Sequence, residues 1–415
     1  MSTNGSEAAL HAAAPLSRAR AALALALLLG LQPVTTDLYL PALPLLTREL
    51  GASLGAAQQT MAAVLLAFGL GQLLLGPLAD RIGRRPVLLA GLLLYTVAAL
   101  GGALAGSIGQ LVAWRALQGL GMASAVVCSR ALLRDLFEPH DGARVMAFAM
   151  SGLGLIAITS PALGGVITTA AGWRAALAVV AAVGAAALAY VAWQVPETAP
   201  RLRPDALRPR VVLAAWRHIA RHPVFVAWAL LTTSTYGGLF TVLASASFIY
   251  IDVLGLSPMA CGVALGSGSL AYIGGTFICR RWVQRHGPVG AVQRGAWFTL
   301  AGGLLAVVPA AAGVQSLWTL VLPFALFSIG HGVHQPCSQS GAVGPFPHQA
   351  GTASALAGFL LSSVAFGIGV WLGGALDGSV RPMAYGLGFW AGLTSLVAWT
   401  LVRRLGRPAP AGRVA

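Results

Sequence analysis

Twelve times along this chain a run of roughly 20 or more residues passes with almost no charged side chain, the length a helix needs to cross the ~30 Å hydrocarbon core of a bilayer. The runs are 19–46, 56–79, 87–106, 110–133, 144–170, 174–195, 224–252, 259–283, 289–312, 316–340, 350–376 and 383–402. Inside lipid no water satisfies a backbone N–H or C=O, so each run must close its hydrogen bonds within itself, as a helix does. Composition leaves no other solvent for these helices. Only 9% of the 415 residues are charged and 57% are hydrophobic, whereas a soluble domain carries about 25% charged residues. The expectation is an all-α membrane protein of twelve transmembrane helices.

One connection stands apart. Residues 196–223 are rich in proline and arginine, and their middle reads as a basic amphipathic helix lying along the membrane surface. This segment separates a first six-helix unit, 1–195, from a second, 224–415. A weak repeat relates the two. An offset of 209 places Gly121 on Gly330, Cys128 on Cys337, Ser129 on Ser338 and Gly164-Gly165 on Gly373-Gly374, and an offset of 204 sets DRIG (80–83) on QRHG (284–287). Two six-helix bundles related by a pseudo-two-fold axis, with a site near the bilayer midplane, is a transporter architecture.

The net charge of +15 arises from 26 basic residues, all arginine. Twenty-two fall on one side of the membrane when the chain is threaded through its spans, three (Arg48, Arg174, Arg381) on the other, and Arg115 lies within a span. Basic residues gather on the cytoplasmic side, so both termini and the linker are predicted to be cytoplasmic, and the charge faces lipid headgroups rather than nucleic acid. The four cysteines sit in apolar runs without CxxC spacing and read as small apolar filler, with no metal site. The polar N-terminus runs into an unbroken apolar segment, which predicts a retained first span rather than a cleaved signal.

Within this apolar inventory the ionisable groups stand out. Asp37 lies nine residues before the end of its span, about 13 Å along a helix, and Arg115 enters the membrane from the same side. Gln118 and Met122 share a helical face with Arg115. His331 and His334 lie at i and i+3 in the tenth span, and His331 takes the place of Met122 in the repeat. A histidine there could bind substrate or relay protons, or be a buried neutral ring bonded to a carbonyl. Tyr236 and Phe240, one turn apart, are the preferred aromatic pair for lining a cavity. No HExxH, GxSxG or paired carboxylate is present, and no filter sequence, which argues against an enzyme and a channel.

The loop GPLADRIGRRPV (76–87) resembles the signature loop of the major facilitator superfamily through Gly76, Asp80, Arg81, Gly83, Arg84 and Arg85. Gly76 is expected to permit close helix approach, Gly83 a tight turn, and Asp80 a pairing with an arginine of a neighbouring helix. The fifth span, SGLGLIAITSPALGGVI (151–167), resembles the antiporter motif of that family through Pro161, Gly164 and Gly165, with Ser160 in place of a glycine. With TTDLYLPALP (35–44), RDLFEPHDGAR (134–144) and YIDVLGLSP (250–258), the chain is similar to the bicyclomycin/chloramphenicol-resistance (Bcr/CflA) branch of the twelve-helix drug:proton antiporters.

The resemblance implies export of small amphiphilic compounds across a bacterial inner membrane, driven by the proton gradient without a cofactor, by a monomer. An uptake symporter on the same fold is the alternative. It assigns conformational roles to the loop residues, to Arg134 and Asp135, and to the fifth-span motif, and proton coupling to Arg115. With Asp37 at a comparable depth across a common cavity, an Asp37–Arg115 ion pair is expected to tune Asp37 as the proton carrier. Pro33, Thr36, Asp37, Tyr39, Gln118, Met122, Tyr236, Phe240, His331 and His334 are the candidate substrate contacts. Pro41 and Pro44 should bend the outer end of the first helix.

Overall fold

The computed structural model describes residues 17–199 and 202–406. Arg201, Arg407 and Arg413, three of the arginines assigned to one side of the membrane, lie outside the described residues, as do both chain ends. The chain is helical almost throughout: α1 (Arg18–Thr36), α2 (Leu43–Glu49), α3 (Leu54–Ile82), α4 (Arg84–Ala103), α5 (Ile108–Leu136), α6 (Pro139–Gln194), α7 (Pro209–Arg221), α8 (Pro223–Ser247), α9 (Pro258–Ala311), α10 (Trp318–Val343), α11 (Ala350–Ala375), α12 (Arg381–Trp399) and α13 (Leu401–Leu405). Nine stretches among the described residues are long and apolar enough to cross a membrane. Two of these contain a glycine in the left-handed region, Gly172 (φ 80°) in α6 and Gly287 (φ 68°) in α9, where the chain reverses, so each holds two crossings. With α10, interrupted by Pro323 and Pro336, the crossings number twelve, each within a few residues of its predicted run.

Small residues let these helices touch, because between helices in lipid close backbone packing replaces the hydrophobic effect. The repeat is visible in the contacts. A Cβ on Gly121 (α5) would meet the Gly91 carbonyl oxygen of α4 at 2.6 Å, and one on Gly330 (α10) would meet that of Gly295 at 2.9 Å in α9. Gly71 of α3 faces Ala123 of α5, and Gly275 of α9 faces Gly332 of α10, again at offsets of 204 and 209. The two halves meet along two seams, α3 against α11 and the first arm of α6 against the first arm of α9.

The linker helix α7 packs beneath the second half. Ile219 is fully buried, Trp216 joins the core around Trp228, and His218 and His222 meet the Phe346 ring edge-on at 6.0 and 5.1 Å. Val211 and Leu213 remain exposed on the same helix as Arg210, Arg217 and Arg221, the two-faced pattern of an interfacial helix.

Candidate functional site

The first span is broken at the carboxylate. α1 ends at Thr36, residues 37–39 form a turn, and a 3₁₀ turn (Leu40–Ala42) leads into α2. Pro41 and Pro44 lack the N–H that a continuing helix would use, so the ladder cannot run through. Asp37 caps α1, its N–H donating to the Pro33 carbonyl at 2.8 Å, and its Oδ1 accepts from the Thr36 hydroxyl at 2.6 Å. Asp37 and Tyr236 of α8, each partly exposed amid buried neighbours, lie within electrostatic reach of one another across the two halves. Every other described acidic residue sits near a span end or in a connection, leaving Asp37 the one carboxylate at mid-depth.

Arg115 corrects the expected ion pair. No bridge joins it to Asp37. Its Nη2 donates to the Thr35 carbonyl at 3.0 Å and approaches Met61 Sδ at 3.5 Å, its Nη1 donates to Gln118 Oε1 at 2.8 Å, and its guanidinium lies 4.3 Å from the centre of the Tyr39 ring. The reason lies in the break. The last four carbonyls of a helix have no partner within it and carry its negative end, and Thr35 is among the last four of α1. The guanidinium satisfies that carbonyl, holding the α1 terminus in place. It is 1% exposed and its Nε is unpartnered.

This arrangement relocates several predicted substrate contacts. Tyr39 is buried under the guanidinium, its hydroxyl 2.9 Å from Thr60. Gln118 is fully buried and engaged with Arg115, and Met122 is fully buried in the core of the first half with Leu28, Leu31 and Phe68. Pro33 and Thr36 are buried on α1. None of these five lines an open cleft in this structure. Tyr236 is partly exposed and stacks on buried Phe240 at 6.2 Å between ring centres.

In the second half the histidines are buried and bonded to hydroxyls rather than to carbonyls. His331 Nδ1 lies 3.0 Å from Thr235 Oγ1, with the Tyr272 ring 5.4 Å away, and His334 Nε2 lies 3.1 Å from Thr299 Oγ1. His334 Nδ1 has no partner. Thr299 takes the place of Tyr95 at the offset of 204, and Tyr95 is itself joined to Thr35 at 2.6 Å in the first half. Sequence reading missed these threonines because nothing distinguishes them from other hydroxyls in the spans.

On the arginine-rich face the signature loop forms one charge cluster. Gly83 (φ 107°) turns the chain between α3 and α4, and Arg84 pairs with Asp80 across that turn and with Asp135 of α5 at 3.2 Å. The partner of Asp80 is thus the arginine just beyond its own turn. Arg134 approaches Asp135 at 3.9 Å. Glu197, unflagged by sequence, completes the cluster from the linker. Its carboxylate accepts from the Arg84 and Arg85 backbone N–H groups at 2.9 and 3.1 Å, capping the positive end of α4. Arg85 donates to the Val195 and Ala192 carbonyls at 3.0 and 2.9 Å. Arg81 is exposed. Gly76 does not mark a close approach, since a Cβ there would meet only Val127 Cγ1 at 3.9 Å.

The fifth-span motif sits where both halves and the broken first span converge. A Cβ on Gly164 would run into the Leu38 backbone, and one on Gly165 into Met259 Cα of α9 at 2.8 Å. Facing them, a Cβ on Gly262 would meet the Pro161 carbonyl carbon at 2.7 Å. Nearby, the face opposite the arginine-rich one is latched. Arg48 pairs with Asp252 at 3.2 Å, Gln58 donates to the Ala244 carbonyl at 2.6 Å, and Ser247 to the Leu40 carbonyl at 2.6 Å. The arginine-rich face has its own cross-half contact, Arg130 to Ser354.

The sequence profile of the Major Facilitator Superfamily matches residues 25–370. The chain belongs to the major facilitator superfamily. It is 32% identical over 338 residues to multidrug resistance protein D of Escherichia coli, covering 81% of this chain and 84% of that one. It is 30% identical to a chloramphenicol resistance protein of Pseudomonas aeruginosa (79% and 78% covered) and 26% identical to a bicyclomycin resistance protein homolog of Haemophilus influenzae (92% and 96%). Among solved structures the xylose transporter XylE of Escherichia coli superposes with a TM-score of 0.74 at 16% identity, covering 96% of this chain and 99% of that one. At that identity the likeness concerns the fold: twelve helices in two six-helix bundles.

Proposed function

We propose that this protein exports small amphiphilic compounds across a bacterial inner membrane in exchange for protons, by alternating access about the junction of the two halves where Asp37 and Tyr236 lie. The observation that carries the reading is the single mid-depth carboxylate, placed at a break in the first span and facing the other half without a cationic partner. A charged carboxylate is costly in hydrocarbon, so its protonation changes which arrangement of the two halves is favoured. The resistance proteins among the relatives support drugs or drug-like metabolites as cargo. The arginine-rich face is the cytoplasmic one, with both termini on it, and the protein works as a monomer with a substrate and protons as its only ligands.

In the cycle, the Arg48–Asp252, Gln58–Ala244 and Ser247–Leu40 contacts close the outer face. A proton reaching Asp37 removes the charge, and cargo seated against the Tyr236–Phe240 stack leaves outward once those contacts part. Arg115 acts differently, fixing the end of α1, and therefore the position of Asp37, in both states. The Asp80–Arg84–Asp135–Glu197 cluster keeps α3, α4, α5 and the linker moving as one body.

The test is transport by everted membrane vesicles. An imposed gradient, acidic inside the vesicle, should drive accumulation of an exported dye, and Asp37→Asn should abolish the gradient-driven part. Gradient-driven accumulation undiminished in Asp37→Asn would overturn the coupling assignment, and movement of the dye in the opposite direction would favour uptake by symport.

A further inference from the structure

We propose that Cys279 and Cys337 form a redox-convertible dithiol which, once oxidised, staples the first arm of α9 to α10 inside the second half. In sequence they are 58 residues apart in different spans, and nothing in their spacing pairs them. In the structure their sulfurs lie 3.5 Å from each other, both thiols free and buried. Glycine brings them there. A Cβ on Gly275 would strike the Ile329 backbone, and one on Gly332 would meet Gly275 Cα at 3.0 Å, so α9 and α10 cross with backbones in contact. Cys279 lies one turn beyond Gly275, and Cys337 a little more than one turn beyond Gly332. Cys279 therefore shares the Gly275 face toward α10, and Cys337 meets it from one turn beyond Val333 of α10. The Cys279 thiol also donates weakly to the Val333 carbonyl at 3.6 Å, which holds its rotamer toward α10.

The other two cysteines show what an unpaired thiol looks like in this protein. Cys128 turns to the Arg84 carbonyl at 3.7 Å, and Cys261 lies against Ser247. Neither has a second sulfur beside it, so they serve as internal controls. The pair sits near the arginine-rich end of the first arm of α9: Cys279 is followed directly by exposed Arg280 and Arg281, the side from which a small water-borne oxidant would enter.

The chemistry needs a two-electron oxidant, of which peroxide is the simplest. One sulfur attacks a peroxide oxygen, an S–O bond forms, the O–O bond breaks and the departing hydroxide leaves as water after taking up a proton. The second sulfur then attacks the first, the S–O bond breaks and a second water departs. Overall two thiols lose two electrons and two protons, and one peroxide becomes two waters. The resulting bridge closes a long loop and ties α9, which forms a seam with the first half, to α10, which carries His331 and His334.

The experiment counts thiols on the full chain. Purified protein, before and after hydrogen peroxide, is unfolded in detergent and tagged with a maleimide polymer, and the linked peptides are read by mass spectrometry. Reduced protein takes four tags, one per cysteine. Oxidised protein should take two, recover four on reduction, and yield a peptide joining Cys279 to Cys337. Cys279→Ser and Cys337→Ser should each keep three tags through the same treatment. The oxidised protein should also unfold at a Tm about 5 °C higher. Four tags surviving oxidation, a bridge to Cys128 or Cys261, or a Tm lower than that of the reduced protein would overturn the proposal.

Discussion

The relation between Asp37 and Arg115 is open to a double-mutant cycle. Arg115→Met removes the guanidinium with little change in length. It breaks the bond to the Thr35 carbonyl, about 1.5–3 kcal/mol for a hydrogen bond to a charged group, and the contact with the Tyr39 ring, about 2 kcal/mol where water is excluded. Removing a buried charge relieves its own desolvation and offsets part of this loss. The net cost should be about 2 kcal/mol. Asp37→Asn keeps the shape of the cap and should cost less than about 1 kcal/mol, in the range of substitutions that create no cavity and no unpaired charge. Because the guanidinium bonds to the Thr35 carbonyl and not to the Asp37 carboxylate, the two losses should add to within about 1 kcal/mol. The assay is apparent stability from unfolding of all four proteins in one detergent at one pH. A coupling of about 3–5 kcal/mol, the size expected when one member of a buried ion pair is removed, would refute the reading of Arg115 as a helix-end cap and restore the ion pair.

Other substitutions test the supporting contacts. Gly83→Ala places a side chain at φ 107° and against the Glu197 carboxylate; it should destabilise by about 1–3 kcal/mol and lower transport, measurable as a reduced Tm and slower dye export. Glu197→Gln keeps the hydrogen-bonding shape but removes the charge at the α4 terminus, so it should cost about 0.3–1 kcal/mol, shrinking at high salt. A salt-independent loss would contradict an electrostatic cap. Gly165→Val should part the seam between the two halves, because its Cβ would meet Met259 Cα at 2.8 Å; transport should fall at least tenfold with the protein still inserted in the membrane, and near-normal transport would show that this seam tolerates separation.

Much of the fold was legible because lipid imposes a simple rule on sequence. Each apolar run became a crossing, and even the turns at Gly172 and Gly287, too tight to leave a loop, fell between runs that hydropathy separated. Asp37 was legible for the same reason: a lone carboxylate in an apolar run is visible without any structure. The partner of Arg115 was not. Depth along two helices can be counted from residues, but the guanidinium responds to where the backbone ladder of α1 stops, and that depends on how Pro41 and Pro44 resolve the turn. Met122 shows the limit of face-sharing arguments, since one face of α5 serves both Arg115 and the core. Glu197 was hidden in a linker read only for its prolines and arginines. Its role appears only when the chain folds back on the α4 terminus. The cysteine pair was unreadable for a similar reason: it depends on a helix crossing set by glycines one turn away.

The central claim, that Asp37 exchanges its proton against cargo, is tested most directly by measuring proton release from purified protein in weakly buffered detergent when an exported compound is added. The wild type should release protons in proportion to compound bound, and Asp37→Asn should bind the compound and release none. Equal release from the two proteins would contradict the account.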